Sequence, residues 1–292
     1  MSPQRETVQK VVIIGGVAGG MSAATRLRRI NESAEITVIE RGSAVSFANC
    51  GLPYHVGKVI EDRSSLVLQH PAGLKSRFNI DVHIHTEATA IHPSEKTVSV
   101  TNLTTGESRD IAYDALVLSP GSTPFRPPIP GVDTAHVLWS LEDMDRLIEA
   151  AEGAKTAVVV GGGFIGVELA EHLHHRGISV TLVEALPQLM ATLDVEMAWP
   201  LVERARHQGL DVRVSTQVSA ITGSGVSLSD GSDISADLVV VAVGARPNTE
   251  LAIQAGLDMG DSGGVAVDEQ QRTSDPHIWA VGDVAQKARA DG

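Results

Sequence analysis

Two stretches of this chain are copies of one unit, and that duplication limits the fold more than any other feature. Residues 10–40 read KVVIIGGVAGGMSAATRLRRINESAEITVIE, and residues 157–184 read AVVVGGGFIGVELAEHLHHRGISVTLVE. Each passes from a continuous apolar strand through a glycine-rich turn into an amphipathic helix, then through a polar turn into a second strand that ends in glutamate. The pattern is βαβ, twice. The copies lie too far apart for a solenoid array, so they mark two domains. A chain of 292 residues is long enough for both, each with its own core, and its 28 glycines suit an α/β protein with many tight strand-to-helix turns.

In the second copy Gly161, Gly163 and Gly166 complete a GxGxxG pattern between a strand and a helix, the setting in which it is informative. The first glycine permits the turn, the second lets a pyrophosphate approach the backbone, and the third lets helix and strand pack closely. Exposed N–H groups and the helix dipole then hold the phosphates. Glu184 ends the following strand and is placed to accept hydrogen bonds from an adenosine ribose. A carboxylate there disfavours a 2′-phosphate, so NADH is expected ahead of NADPH, which stays an alternative. In the first copy Gly15 and Gly20 hold the outer positions, Val17 replaces the middle glycine, and Glu40 stands where Glu184 does. Two cradles in one chain suggest two dinucleotides, and hydride chemistry pairs FAD with NADH. Near the C-terminus WAVGD, residues 279–283, closes a strand with Gly282 and Asp283, a carboxylate able to hydrogen-bond the ribityl chain of a flavin.

Between the copies strands are expected near residues 81–85, 97–101 and 115–118, and a loop and helix around Cys50. A proline-rich run, 119–130, then makes a natural crossing between domains. After the second copy, alternating strands at 211–214 and 226–229 flank a Gly-Ser turn, and an apolar strand covers 238–243. The linker-like GARPN, 244–248, ends it, and strands at 265–267 and 278–281 return to the first domain. The expected architecture is α/β, with two Rossmann-like, three-layer, dinucleotide-binding domains. Residues 1–120 begin a discontinuous FAD domain, 121–245 form the NAD(P)H domain, and 246–292 return to the FAD domain, incomplete.

A formal charge of -13, with no compensating basic block, makes nucleic acid and membrane poor partners. One cysteine cannot form an intramolecular disulfide, and residues 1–10 are polar without a signal-peptide core, so a cytoplasmic location is expected. His172, His174 and His175 read as a solvated helix face, and His83 and His85 alternate on a strand. No cysteine accompanies them, and no metal site is expected.

The one cysteine lies in SFANCGLPY, residues 46–54. A thiolate is the reactive form of the group, and the start of a helix favours negative charge. With no second cysteine, Cys50 must cycle with a non-protein sulfur or oxygen partner; a buried structural thiol is the alternative. SFANCGLPY, GGVAGG at 15–20, GGGFIGVE at 161–168, GARPN at 244–248 and AVGDVA at 280–285 together resemble the single-cysteine branch of the pyridine nucleotide-disulfide oxidoreductases. Within that branch the likeness is to coenzyme A-disulfide reductases and NADH-dependent persulfide reductases, and it covers essentially the whole chain. The resemblance implies that electrons pass from NADH through flavin to a mixed disulfide or persulfide on Cys50, the catalytic residue. It further implies dinucleotide contacts at Ala18, Arg41, Asn49, Ala88, Ser119, Pro120, Gly121, Phe164, Ile165 and Gly244. Coenzyme A contacts are implied at Ser22, Arg26, Arg29, Ser46 and Asn49, and a basic residue is expected near Phe78, either Arg77 or Lys75. Arg26, Arg28 and Arg29 solvating a helix end is the plainer reading of that cluster.

Oxidases and peroxidases of the same branch usually carry a histidine where Ala18 stands, which makes an NADH oxidase or peroxidase the second reading. The chain stops at Gly292, whereas the resemblance leads one to expect more flavin domain, a homodimerisation domain that shapes the substrate site and, in some members, a rhodanese domain. A truncated, non-catalytic dinucleotide-binding module is therefore a third expectation.

Overall fold

The computed structural model describes residues 10–287; the segment read above for lack of a signal peptide lies, but for Lys10, outside them. In chain order Lys10–Ile14 (β1), Ala18–Ile30 (α1) and Glu35–Ile39 (β2) form the first βαβ unit. A 3₁₀ turn, Asn49–Gly51, runs into the short helix Leu52–Val56 (α2), and helix Pro71–Phe78 (α3) precedes strand Ile80–His83 (β3). Proline at the first helical position and left-handed Asn79 just past the last one set the limits of α3. Three strands, Thr86–His92, Thr97–Asn102 and Ser108–Ala112, come before Ala115–Leu118 (β4). Helix Leu141–Ala151 (α4) starts at a reciprocal capping box between Ser140 and Asp143. The second βαβ unit is Thr156–Val160 (β5), Phe164–His175 (α5) and Ser179–Val183 (β6). Helix Val195–His207 (α6), strand Asp211–Arg213 (β7), a trio at Val218–Thr222, Gly225–Leu228 and Asp233–Ser235, strand Leu238–Val241 (β8), helix Glu250–Gln254 (α7) and strand Ile278–Ala280 (β9) complete the main elements.

The chain divides into two compact units. Among the described residues the first holds 10–47, Val67–Thr123 and 247–287. Its sheet runs β9-β4-β1-β2-β3, every pair parallel. Successive residues of β1 serve opposite faces, as a two-residue period requires. Val11 and Ile13 pack with Met21, Ala24 and Leu74 on the helical side, while Val12 and Ile14 pack with Ile91, Val98 and Val100 of the antiparallel trio. Helices, parallel sheet and antiparallel sheet make three layers.

The second unit holds Ala48–Leu66 and Pro124–Arg246. Its parallel sheet runs β7-β6-β5-β8. α5 packs on β5 and β6 and α6 on β7, while Val158, Val160, Val183 and Val241 meet Val218, Ile221 and Val226 of its own antiparallel trio.

Two readings of the sequence differ from this arrangement. Residues 48–66, expected with the first domain, cluster with the second, because α2 packs on α5 and α4. The Gly-Ser turn joins Val218–Thr222 to Gly225–Leu228, whereas residues 211–213 form the edge of the parallel sheet. Among the described residues no helix is long and apolar enough to cross a membrane.

Candidate functional site

In the first unit the turn between β1 and α1 is built by close backbone approach. Gly15 has φ of 97°, and a Cβ there would lie 1.9 Å from the Ser119 carbonyl oxygen. Gly20 sits one helical turn on, where a Cβ would lie 1.9 Å from the Gly15 carbonyl oxygen. Val17 is the N-cap of α1 and Ala18 its first residue. The Glu40 carboxylate accepts from the backbone N–H of Gly16 at 2.7 Å and of Gly42 at 2.6 Å.

The second unit repeats this almost bond for bond. Gly161 has φ of 108° with a Cβ position 2.4 Å from the Ala242 carbonyl oxygen, and a Cβ on Gly166 would lie 1.9 Å from the Gly161 oxygen. Glu184 accepts from the N–H of Gly162 at 2.6 Å and of Leu186 at 2.7 Å. Even the returning loops match. The N–H of Ser46 reaches the Gly16 carbonyl at 2.9 Å, and that of Met190 reaches the Gly162 carbonyl at 2.8 Å; both residues have φ of 50°. Gly16 and Gly162, the inner glycines that bind these carboxylates, escaped the sequence reading. The signal was the Gly-Gly doublet that opens both turns, and the structure gives its reason: a Cβ there would stand 2.5 Å from Val45 and 2.4 Å from Leu189 respectively.

Each cradle opens on a cavity. In the second unit it is about 760 Å³ and is lined by Gly161, Gly163, Phe164, Ile165, Glu184 and Gly244 among others. Gly163 is the informative residue. A Cβ there would meet nothing within 4 Å, so the protein's own packing does not require glycine at this position, whereas a ligand pressed against the backbone would. In the first unit the cavity is about 520 Å³ and is lined by Gly15, Glu40, Arg41, Ala88, Pro120 and Asn248 among others. Arg41 lies 3.6 Å from Glu87, an exposed ion pair of little energetic weight. Each of Glu40 and Glu184 uses two of about four acceptor sites on backbone N–H groups, leaving capacity for ribose hydroxyls. Both cradles fit a dinucleotide.

Ser119, Gly121, Gly282 and Asp283 lie outside the lining of that cavity. Ser119 Oγ stands 2.6 Å from the Cβ position of Gly19 and 3.7 Å from that of Gly282, which brings the end of β9 beside the start of α1. Asp283 accepts from Ser122 Oγ at 2.7 Å. Asn248, quoted in a motif but given no role, ties this loop together: its side-chain amide donates to the Pro120 carbonyl at 2.9 Å, its backbone N–H donates to the Gly121 carbonyl at 3.0 Å, and its side-chain oxygen accepts from Thr123 at 2.6 Å.

Ser22, Arg26 and Arg29, spaced four and three apart, are all exposed and share one face of α1. Arg28 does not solvate the helix end with them. It is 9% exposed, and its guanidinium donates to the carbonyls of Phe78 (2.7 Å), Asn31 (3.1 Å), Glu32 (2.6 Å), Ala34 (2.7 Å) and Asn79 (2.9 Å). The C-terminal ends of α1 and α3 are thereby fastened to each other. Arg77, on that end of α3, is exposed and lies over the Phe78 ring at 5.3 Å. Lys75, the alternative basic residue, is paired with Asp81 at 2.8 Å.

Cys50 and Asn49 are exposed in the 3₁₀ turn that runs into α2. Leu52, Pro53 and Val56 are the buried side of that helix. The Arg176 guanidinium donates to the Val56 carbonyl at 3.0 Å, and the Tyr54 ring packs on His172 with centroids 4.6 Å apart. His172 is only 5% exposed, so it does not belong to a solvated face. Burial pushes its imidazole below the ordinary histidine value.

Fold and cradles together define a protein with two dinucleotide-binding units, one of which carries a single exposed thiol. The family model described as pyridine nucleotide-disulphide oxidoreductase matches residues 9–291, and the chain belongs to that family. It is similar to coenzyme A disulfide reductase of Staphylococcus epidermidis, 32% identical over 279 residues that cover 95% of this chain and 64% of the relative. Among solved structures it resembles reduced CoADR-RHD of Bacillus anthracis, with 43% identity and TM-score 0.94 over 96% of this chain and 52% of that one. A NAD-dependent persulfide reductase from A. fulgidus matches at 40% identity and TM-score 0.92, over 95% of this chain and 53% of that one. The chain thus spans just under two thirds of the length of the curated relative.

Proposed function

We propose that this chain carries the two dinucleotide-binding units of an NADH-dependent flavoprotein reductase whose Cys50 exchanges with a small-molecule disulfide or persulfide, coenzyme A-linked in class, in a reducing compartment. The observation that carries this reading is the exposed Cys50, in the turn before a helix docked on α5, in a chain that also holds two dinucleotide cradles. The names of the relatives, coenzyme A disulfide reductase and NAD-dependent persulfide reductase, support the same class of substrate.

Gly15, Gly20 and Glu40, with Ser119 and Asp283 at the adjoining strand ends, would hold FAD, and Gly161, Gly163, Gly166 and Glu184 would hold NADH. When bound, the flavin supplies a two-electron path between a nicotinamide and sulfur. The chain's own part begins with the Cys50 thiolate, which attacks one sulfur of the disulfide. A Cys50 S–S bond forms, the substrate S–S bond breaks, and one thiolate leaves with the electron pair of that bond. Two electrons then return Cys50 to the thiolate and release the second thiol, which takes a proton from solvent. Arg26, Arg29 and Arg77 offer guanidinium groups suited to the phosphates of a coenzyme A moiety. Glu184 selects against a 2′-phosphate, because its oxygens already accept backbone hydrogen bonds and repel further negative charge.

Cys50→Ser tests this directly. The variant is expected to keep bound flavin and its bleaching by NADH while losing turnover of coenzyme A disulfide. Undiminished turnover removes Cys50 from the mechanism. Wild-type NADH consumption with oxygen or peroxide, and none with disulfide or persulfide, would favour the oxidase reading instead.

A further inference from the structure

One buried group has no task in the scheme above. His172 lies on α5 beneath α2, and among the described residues its Nδ1 is buried without a hydrogen-bond partner. The Tyr54 ring lies against the imidazole at 56° to its plane. Gly57, just past α2, lies so close that a Cβ on it would be 2.4 Å from Nδ1. Four residues on, Arg176 at the C-cap of α5 holds the Val56 carbonyl. Two side chains one turn apart, His172 on α5 and Arg176 at its C-cap, therefore grip the C-terminal end of α2, the helix that follows the turn carrying Cys50.

We propose that His172 is a positioning residue for Cys50: the neutral imidazole seats α2 on α5, and its protonation loosens that seat. The docking is independent of the reductase reading; only the importance of Cys50 rests on it. A neutral imidazole can leave Nδ1 as a bare acceptor, whereas an imidazolium must carry a proton there with no acceptor to receive it. The surrounding groups oppose protonation on balance. Burial is the largest influence and opposes it, Glu171 on the same helix favours it, and His175 opposes it. From α2, Tyr54 presents a ring, and His55 is turned to the Ile60 carbonyl at 2.7 Å. From α4, which packs on α2, Asp145 is paired with Arg63 at 2.8 Å.

The sign follows from linkage. A base whose value is lowered by docking binds fewer protons docked than undocked, so docking is fully supported above pH 6.5, the ordinary histidine value. Support is lost as pH falls from there through the lowered value. For one proton the docking equilibrium changes by at most about tenfold per pH unit.

Hydrogen exchange on the full chain, corrected for intrinsic pH dependence, reads this at the amides of residues 54–57 with β5 as internal reference. Protection of the segment relative to β5 is expected to fall between pH 7.5 and 5.5 in the wild type and to stay level in His172→Phe, which keeps a ring against Tyr54 but cannot titrate. Should the phenylalanine variant not fold, His172→Gln, with an amide in place of the titrating ring, serves in its stead. A wild-type segment whose protection ignores pH, or a pH response that survives in the folded variant, overturns the proposal. The measurement needs no turnover, so failure of the reductase reading leaves it intact.

Discussion

At the scale of single residues, Arg28 shows how far burial can separate neighbours in sequence. Arg26 and Arg29 point to water on either side of it, while its five N–H groups are spent on five carbonyls, of Asn31, Glu32, Ala34, Phe78 and Asn79. Nothing in RLRRI distinguishes the three arginines, because the loop carbonyls that fill the fork come from residues up to Asn79. Replacing Arg28 by methionine keeps the stem and strands those carbonyls. A loss of about 3 kcal/mol is expected in urea unfolding, since several buried acceptors lose partners together. Arg28→Lys is expected to recover only part of it, because an ammonium lacks the planar fork. If the methionine variant unfolds at the wild-type urea concentration, the clamp is not a stabilising one. Ser46 illustrates the same limit of sequence reading. Its proposed contact with coenzyme A leaves unexplained a left-handed backbone that Met190 shares at the matching position of the second unit.

At the scale of elements, what the chain's letters revealed tracks how complete a local pattern is. Both βαβ units were legible because strand, turn, helix and closing glutamate all lie within about thirty residues, each with its own period. The antiparallel strands were legible only in part. Ser108–Ala112 has no buried residue, so its alternation offers no contrast, and Val218–Thr222 is short and mixed. Segment 48–66 reads with the first domain in sequence yet groups with the second unit, because its partners, α4 and α5, lie roughly a hundred residues away and leave no local trace. The glycine turns make a prediction that separates fold from ligand. Gly166→Ala puts a methyl group against the Gly161 carbonyl and is expected to cost about 1–3 kcal/mol of stability. Gly163→Val adds a Cβ that meets nothing of the protein within 4 Å. That variant is expected to melt like the wild type yet bind NADH at least about tenfold more weakly, a loss of about 1.4 kcal/mol or more. Unaltered NADH affinity in Gly163→Val, read by fluorescence titration, would place the pyrophosphate elsewhere.

At the scale of the molecule, a net charge of -13 has to accommodate ligands that are themselves anionic. Local geometry must outweigh the overall field, and both cradles supply it through helix N-termini and backbone N–H groups rather than a basic surface. Because each unit has its own sheet, carboxylate and cavity, the two ligands are expected to act as separate stabilisers. FAD at about 100 times its Kd contributes about 2.7 kcal/mol by mass action, and NADH at the same ratio contributes a like amount. Thermal melts with each ligand alone and with both should then show stabilisation by NADH whether or not FAD is saturating. Gly163→Val should weaken the NADH shift while sparing the FAD shift. If instead saturating FAD abolishes the NADH shift, the two compete for one cradle, and the duplicated architecture does not hold two dinucleotides at once.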